Sequence, residues 1–217
     1  MSDLKDYFTC AQDAEFELVE KKSRFIAHCC RIVEPGDAEN LIMCYRKRFW
    51  DARHNCYAFR LPNTERSSDD GEPAGTAGIP ILTVLRMNRI MNVLIVVTRY
   101  FGGVLLGTGG LARAYTKAAS EALRLGGIQW MRPCIGMHTE IAYSDYSPIE
   151  KFFRDKGIHT ETVFSEVVSI DCFVPEEEVS SVSERVIELT EGRSGVITGR
   201  SAYIAYPADS GILQMEK

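Results

Sequence analysis

The sequence lacks any long apolar run. Its longest strand-like stretch, Val93 to Val97, is far short of the ~20 residues that a membrane-spanning helix needs. That speaks against a membrane protein. The seven cysteines are an odd set with no C-x-x-C spacing and no paired Cys/His groups, although Cys29 and Cys30 are adjacent. A disulfide framework or a structural zinc site is therefore not expected, and no metal site is assigned. The cysteines read instead as reduced thiols used for packing in a cytoplasmic protein. The opening Met1-Ser2-Asp3-Leu4-Lys5-Asp6 has neither the basic nor the apolar region of a secretory signal. Internal repeats and low-complexity tracts are missing. So are G-x-S-x-G, G-x-G-x-x-G and the P-loop, which leaves no ready serine hydrolase or nucleotide enzyme and no expected cofactor. The four histidines are scattered.

What is present is an ordinary globular composition, 217 residues with 45% apolar and 25% charged side chains, enough for one large domain or two small ones. The net charge of −5 hides an asymmetry. Residues 1–135 carry +3 and residues 136–217 carry −8, while the stretch 46–132 alone reaches +7. Halves of opposite sign suggest two domains with different partners. Gly126-Gly127, Pro133 and Gly136 mark a boundary, which gives domains 1–135 and 136–217.

In the first segment, Phe16 and Leu18, then Phe25 and Ala27, read as two strands around a turn. Pro35-Gly36-Asp37 opens a helix that ends on Arg46-Lys47-Arg48, where the macrodipole favours cations. A strand over His54 to Leu61, a polar loop over Pro62 to Gly75 with an Asp70-Gly71 turn, and a short helix over Ile79 to Met87 follow. Val93 to Val97 is a buried strand, Gly102 to Gly110 a glycine-rich loop, and Leu111 to Leu125 a long helix. In the second segment, Thr139 to Tyr143 is a strand, and Ser147-Pro148-Ile149-Glu150 combines a capping box with proline at the first helical position. Two strands between Ile158 and Val174, a helix from Val179 to Leu189, and a strand from Val196 to Tyr206 complete βαββαβ, the ferredoxin-like order.

Two stretches carry possible chemistry. The loop around Asp69, Asp70 and Glu72 places three carboxylates within four residues. They can orient nearby arginines, bind a hard cation, or simply solvate a turn. The stretch Arg99, Tyr100, Phe101, Gly102, Gly103 through Gly107, Thr108, Gly109 and Gly110 runs between a strand and a helix, with Arg113 beyond. Glycines admit close backbone approach, and a helix start offers free N–H groups to an anion. Arg99 ends a buried strand, where an unpaired charge is costly, so the carboxylates are expected beside it. His54 and Cys56 share a strand face and read as core.

Together the motifs Ser23-Arg24-Phe25-Ile26-Ala27, His54 through Arg60, Ser68-Asp69-Asp70-Gly71-Glu72-Pro73 through Gly78, Val96-Val97-Thr98-Arg99-Tyr100-Phe101-Gly102-Gly103 through Gly110, and Arg113-Ala114-Tyr115 resemble the IMPACT/YigZ family over roughly residues 17–130. The last ~80 residues resemble the small C-terminal domain of its bacterial branch, similar to the last domain of elongation factor G. The resemblance implies an α+β chain. Its N-terminal domain would be related to ribosomal-protein and RNase PH folds, with a four-stranded sheet and helices on one face, followed by the ferredoxin-like domain. It also implies a link to translation. Eukaryotic relatives act through a different leading domain that binds a kinase activator, so that mechanism does not carry over. For the bacterial branch the resemblance supplies a proposed nucleic-acid role and no established catalytic residues.

The expectation is thus a non-catalytic cytoplasmic protein that binds RNA or ribosomal components. Arg46, Lys47, Arg48, Arg53, His54, Tyr57 and Arg60 would supply phosphate contacts and stacking, and the acidic C-terminal domain would meet a protein partner. The alternative is an enzyme or ligand-dependent switch at the Asp/Glu/Arg and glycine-loop site. Geometry separates them. Carboxylates converging with Arg99 in one cleft favour the alternative, and an uninterrupted basic face favours RNA.

Overall fold

The computed structural model describes residues 6–207. The segment read for a leader, Met1 to Lys5, lies outside the described residues. Along the chain run β1 (Tyr7–Cys10), β2 (Ala14–Glu20), β3 (Ser23–Arg31), α1 (Pro35–Arg48), β4 (His54–Leu61), β5 (Thr64–Ser68), α2 (Gly78–Met87), β6 (Val93–Tyr100), α3 (Gly107–Gly126), β7 (Ile128–Ile141), α4 (Tyr143–Asp155), β8 (Thr160–Phe164), β9 (Val168–Pro175), a 3-10 turn (Glu176–Glu178), α5 (Val179–Leu189) and β10 (Ile197–Pro207). Residues 7–130 and 131–206 form two compact units. No helix among the described residues is long and apolar enough to cross a membrane.

The N-terminal unit is built on an antiparallel sheet in the order β2-β3-β6-β4-β5. Strand β6 is central and β-branched on both faces, which suits a strand buried on both sides. Val93, Ile95 and Val97 join Ile81 and Leu85 of α2 and Tyr115 and Ala118 of α3 in one core. Leu94 and Val96, pointing the other way, join Ile32, Phe59 and α1 residues Ala38 and Ile42 in a second. The implied four-stranded sheet with helices on one face is therefore corrected to five strands with helices on both faces. The period-2 alternation of β4 and β6 leaves two apolar faces, and each needs a cover. The fifth strand, β5, lies within the expected polar loop. A two-residue turn at Pro62-Asn63 folds it back so that Thr64 pairs with Leu61 and Ser68 with Tyr57.

Helix α3 starts one turn earlier than expected, so Gly107 to Gly110 are helical and the loop shrinks to residues 101–106. Its far end stops at Gly127, which takes a positive φ of 68°.

In the C-terminal unit β7 pairs with β9, β9 with β8, and β10 with β7. This gives the order β10-β7-β9-β8, the ferredoxin-like arrangement. Helices α4 and α5 bring Ile149, Phe153, Val182 and Val186 onto Met137, Ile141, Ile170 and Val174. Helix α4 begins at Tyr143, so the expected start at Ser147 is corrected and Pro148 lies inside the helix. Tyr146 packs on the same core as Ile149 and Phe153, and that spacing extends the apolar stripe one turn upstream of the proline. Pro133 and Gly136 lie within β7 rather than interrupting it. A side chain at Gly136 would meet the Arg200 carbonyl oxygen of β10 at 3.3 Å. All seven cysteines are free, and six are buried while Cys44 on α1 is exposed.

Candidate functional site

Strands β4 and β6 end together, with His54 opposite Arg99. Alternation turns both side chains to the α2/α3 face, where the glycine loop and the 69–78 segment meet them. Arg99 is 6% exposed. Its Nη1 donates to Glu72 Oε1 at 2.6 Å, and Nη2 lies 3.5 Å from Ser23 Oγ. The guanidinium sits between the rings of Phe25 and Phe101, 5.4 and 5.7 Å from their centroids. The Tyr115 hydroxyl donates to the same Glu72 oxygen at 2.9 Å. Burial pushes the Tyr115 phenol far up, so it stays a donor. The expected meeting of carboxylate and Arg99 is thus made by Glu72.

Asp69 and Asp70 do other work. Asp69 accepts from the backbone N–H groups of Gly75, Ala77 and Gly78 at 2.8 to 2.9 Å and caps the start of α2. Burial pushes its carboxyl up, but these amides outweigh it and hold the group below the usual aspartate range. Asp70 accepts from Asn55 N at 2.7 Å and from Arg46 Nη2 at 2.6 Å. The three carboxylates therefore do not form one site, because backbone donors closer at hand take two of them. Among the described residues no group of three or more His, Cys, Asp or Glu side chains is placed to hold a metal ion.

The Nδ1 atom of His54 lies 2.8 Å from the Asp70 carbonyl oxygen. A carbonyl only accepts, so the network assigns a proton to Nδ1. Nε2 faces Glu72 Oε1 at 4.0 Å. Cys56 turns away from the imidazole. Its thiol donates to Asp69 O at 3.0 Å and approaches the Tyr115 hydroxyl at 3.3 Å, and burial pushes it up to about 12. It is a core thiol.

A cleft of about 410 Å³ opens over this cluster. Arg53, His54, Glu72 and Arg99 supply its polar wall, Phe101, Leu105 and Leu106 its apolar wall, and Gly107 and Thr108 the first turn of α3. That turn has no side-chain cap and no acidic residue. Gly102 is required by packing, since any Cβ there would overlap the backbone of Lys22 and Ser23. Gly103 and Gly107 take positive φ of 81° and 71°. Gly109 has neither reason, because a Cβ there would meet only Arg113 Nη1 at 3.8 Å. It leaves the helix start bare.

The basic residues expected on one nucleic-acid face have different partners. Arg46 pairs with Asp70, and Arg48 lies 3.3 Å from Glu15 and over the Phe49 ring. Lys47 is exposed on α1 and Arg53 at the cleft rim. Arg60 is tied down at the far end of β4 by Glu65 and the carbonyls of Leu85 and Ile90. Tyr57 packs on the α1 core, and the Tyr100 hydroxyl donates to Asp51 at 2.8 Å. Alternation along β6 sends Arg99 and Tyr100 to opposite faces. Sequence reasoning does not find Ser23, Phe25 or Tyr115 as parts of the cluster. Tyr115 reads as a core position of α3, and the hydroxyl that meets Glu72 has no periodic signature.

Residues 21–123 match the Impact N-terminal domain, and residues 139–193 match a domain of unknown function, DUF1949. The chain is 39% identical over 205 residues to IMPACT family member YvyE of Bacillus subtilis, covering 93% of this chain and 94% of the relative. It is 33% identical to IMPACT family member YigZ of Escherichia coli, over 79% of this chain and 87% of that one. A solved structure described as that of a hypothetical protein is similar at a TM-score of 0.58 and 28% identity, covering 90% of this chain and 98% of the other.

Proposed function

This chain belongs to the IMPACT family, and we propose that its N-terminal unit is a ligand-recognition module that holds an anionic group against the bare first turn of α3. The observation that carries the reading is the cleft itself. Arg53 at its rim and the uncapped N–H groups of α3 face the same space as the buried Arg99–Glu72 pair and an apolar wall. Unpaired N–H groups and the helix dipole favour an anion there. The apolar wall, with Leu105 82% exposed, suits a ligand that carries a planar or apolar part. We place this work in the cytoplasm, in keeping with seven unpaired thiols.

The test is Gly109→Asp. A carboxylate at that position competes with a bound anion while suiting the helix start. Small anions added at millimolar levels should shift the amide resonances of Gly107 to Gly110 in the wild type and leave those of the variant unmoved. Unchanged wild-type amides with phosphate, sulfate and acetate alike would remove the reading.

A second reading, binding of RNA or a ribosomal component, draws on Trp50, 82% exposed just past Arg46, Lys47 and Arg48. A bare indole beside cations is a stacking platform for an unpaired base. Trp50→Ala should then weaken single-stranded RNA binding by about 1–3 kcal/mol with little change in salt dependence. An unchanged affinity would remove it.

A further inference from the structure

We infer that the cleft takes the α-carboxylate of a residue with a bulky aliphatic side chain, the acid on the first turn of α3 and the side chain on the apolar wall. The inference rests on the anion-site reading above and names its ligand.

The observation that points to a ligand is a stranded donor. Arg99 lines the cleft and is 6% exposed, yet its buried Nε has no hydrogen-bond partner among the described residues. The neighbouring Nη1 and Nη2 face Glu72 and Ser23. A buried polar group left unmatched is costly and rare. Here the orphan is an N–H, so what it lacks is an acceptor. The first turn of α3, which borders the same cleft without a side-chain cap, lacks acceptors as well. Two elements thus leave donors unmet around one space. Phe101 covers the guanidinium at 5.7 Å and is itself 47% exposed. A ligand that turns this ring aside reaches Nε.

Charge sets the kind of acceptor. Arg99 and Glu72 neutralise each other at 2.6 Å. What remains in the lining is Arg53 and about half a positive charge at the helix start. That suits a single negative charge. A phosphate monoester brings about −1.5 to −2 at neutral pH and would set the excess beside Glu72. An α-carboxyl, with a pKa of about 3.5, brings one charge.

Shape sets what the acid is attached to. The apolar lining is Leu105, Leu106, Leu111 and Pro73 beside Phe101. The Phe101 ring already turns a face to Arg99, so a branched aliphatic group fits this wall better than a stacked base. An α-carboxylate shares its carbon with the side chain, so acid and apolar group enter as one compact unit. An aspartate or glutamate within a chain has no apolar group beside its acid. No bond is made or broken. The α-carboxylate can belong to a free amino acid or to the C-terminus of a peptide.

The experiment follows the full-length chain by NMR, with N-acetyl-leucine, N-acetyl-glycine and N-acetyl-leucinamide as probes. Two signals are read: the amides of Gly107, Gly109 and Gly110, and the Nε–H of Arg99. N-acetyl-leucine should move both. It should saturate the amides at a concentration about tenfold or more below that of N-acetyl-glycine, the effect of burying a leucine side chain. N-acetyl-leucinamide, which carries no charge, should move neither. Leu105→Ser changes a position that is 82% exposed, so the fold is kept, and it should bring the two acids close together. Equal binding of the two acids by the wild type, or an Arg99 Nε–H that N-acetyl-leucine leaves unmoved, overturns the inference and leaves the anion site standing. Leucinamide that binds like its acid overturns both readings, as do backbone amides that respond to no probe. A tetra-alanyl-leucine peptide with a free C-terminus and free leucine identify the source. Tighter binding of the peptide assigns a peptide end, and tighter binding of leucine assigns a free amino acid.

Discussion

Glu72 and Arg99 are buried to the same degree and neutralise each other, with side chains 3% and 7% exposed. Removing one charge strands the other. Glu72→Gln should cost about 3–5 kcal/mol in urea unfolding, whereas the double change Glu72→Leu with Arg99→Met should recover most of it. A double variant as weak as the single would mean that packing, not charge, sets the cost. Asp69 adds a pH signature. Its folded carboxyl titrates below the ordinary value of 3.8. As pH falls, the unfolded chain therefore takes up the proton first. The stability from Asp69 is full above the ordinary value and is lost as pH drops through it toward the folded one. Urea unfolding of the wild type and Asp69→Asn should differ clearly at about pH 6, and the difference should shrink as pH falls below the ordinary carboxyl value. The sequence made the carboxylate cluster and the lone Arg99 legible, yet not who pairs with whom. Asp69 meets amides six to nine residues downstream, too far along for a helix-cap pattern to announce it.

At the scale of elements, α3 and the loop before it separate two kinds of glycine. Gly102→Ala should unfold the N-terminal unit or destabilise it severely, because the new methyl overlaps the Lys22–Ser23 backbone. Gly109→Asp should instead stabilise the chain by about 1 kcal/mol, through lower backbone entropy in the unfolded state and a favourable dipole contact. Circular dichroism with urea measures both, and a destabilised Gly109→Asp would contradict the open first turn. Composition shows both glycines but not which of them touches another strand. Strand β5 and the start of α4 escaped the sequence for a similar reason. β5, Thr-Glu-Arg-Ser-Ser, is polar because it is an edge strand. At α4 the pull of Tyr146 onto the core outweighs a good local capping box.

At the scale of the whole molecule, the ferredoxin-like order was the most legible feature, since each of its helices and strands carries a clean period. The second covered face of the N-terminal sheet was not, because β6 is apolar throughout and a uniform run does not say that two different helices share it. The C-terminal unit has its own core, and we expect a fragment of residues 131–207 to unfold cooperatively on its own. A fragment starting at Gly136 should be weaker, since it lacks the buried Met131 and Cys134. A non-cooperative melt of the longer fragment would count against separable units.

The distribution of thiols gives the protein an internal gauge. With six cysteines buried and Cys44 exposed, a brief pulse of a maleimide reagent should add one label per native chain, and seven once the chain is denatured. Intermediate masses in a denaturant series would then tell which core opens first. Cys134 and Cys172 report on the C-terminal unit, and Cys10, Cys29, Cys30 and Cys56 on the N-terminal one. The same chemistry makes Cys44 a ready attachment point for a dye on α1, on the sheet face opposite the cleft, so that a fluorescent form can be made without first stripping the chain of its other sulfurs.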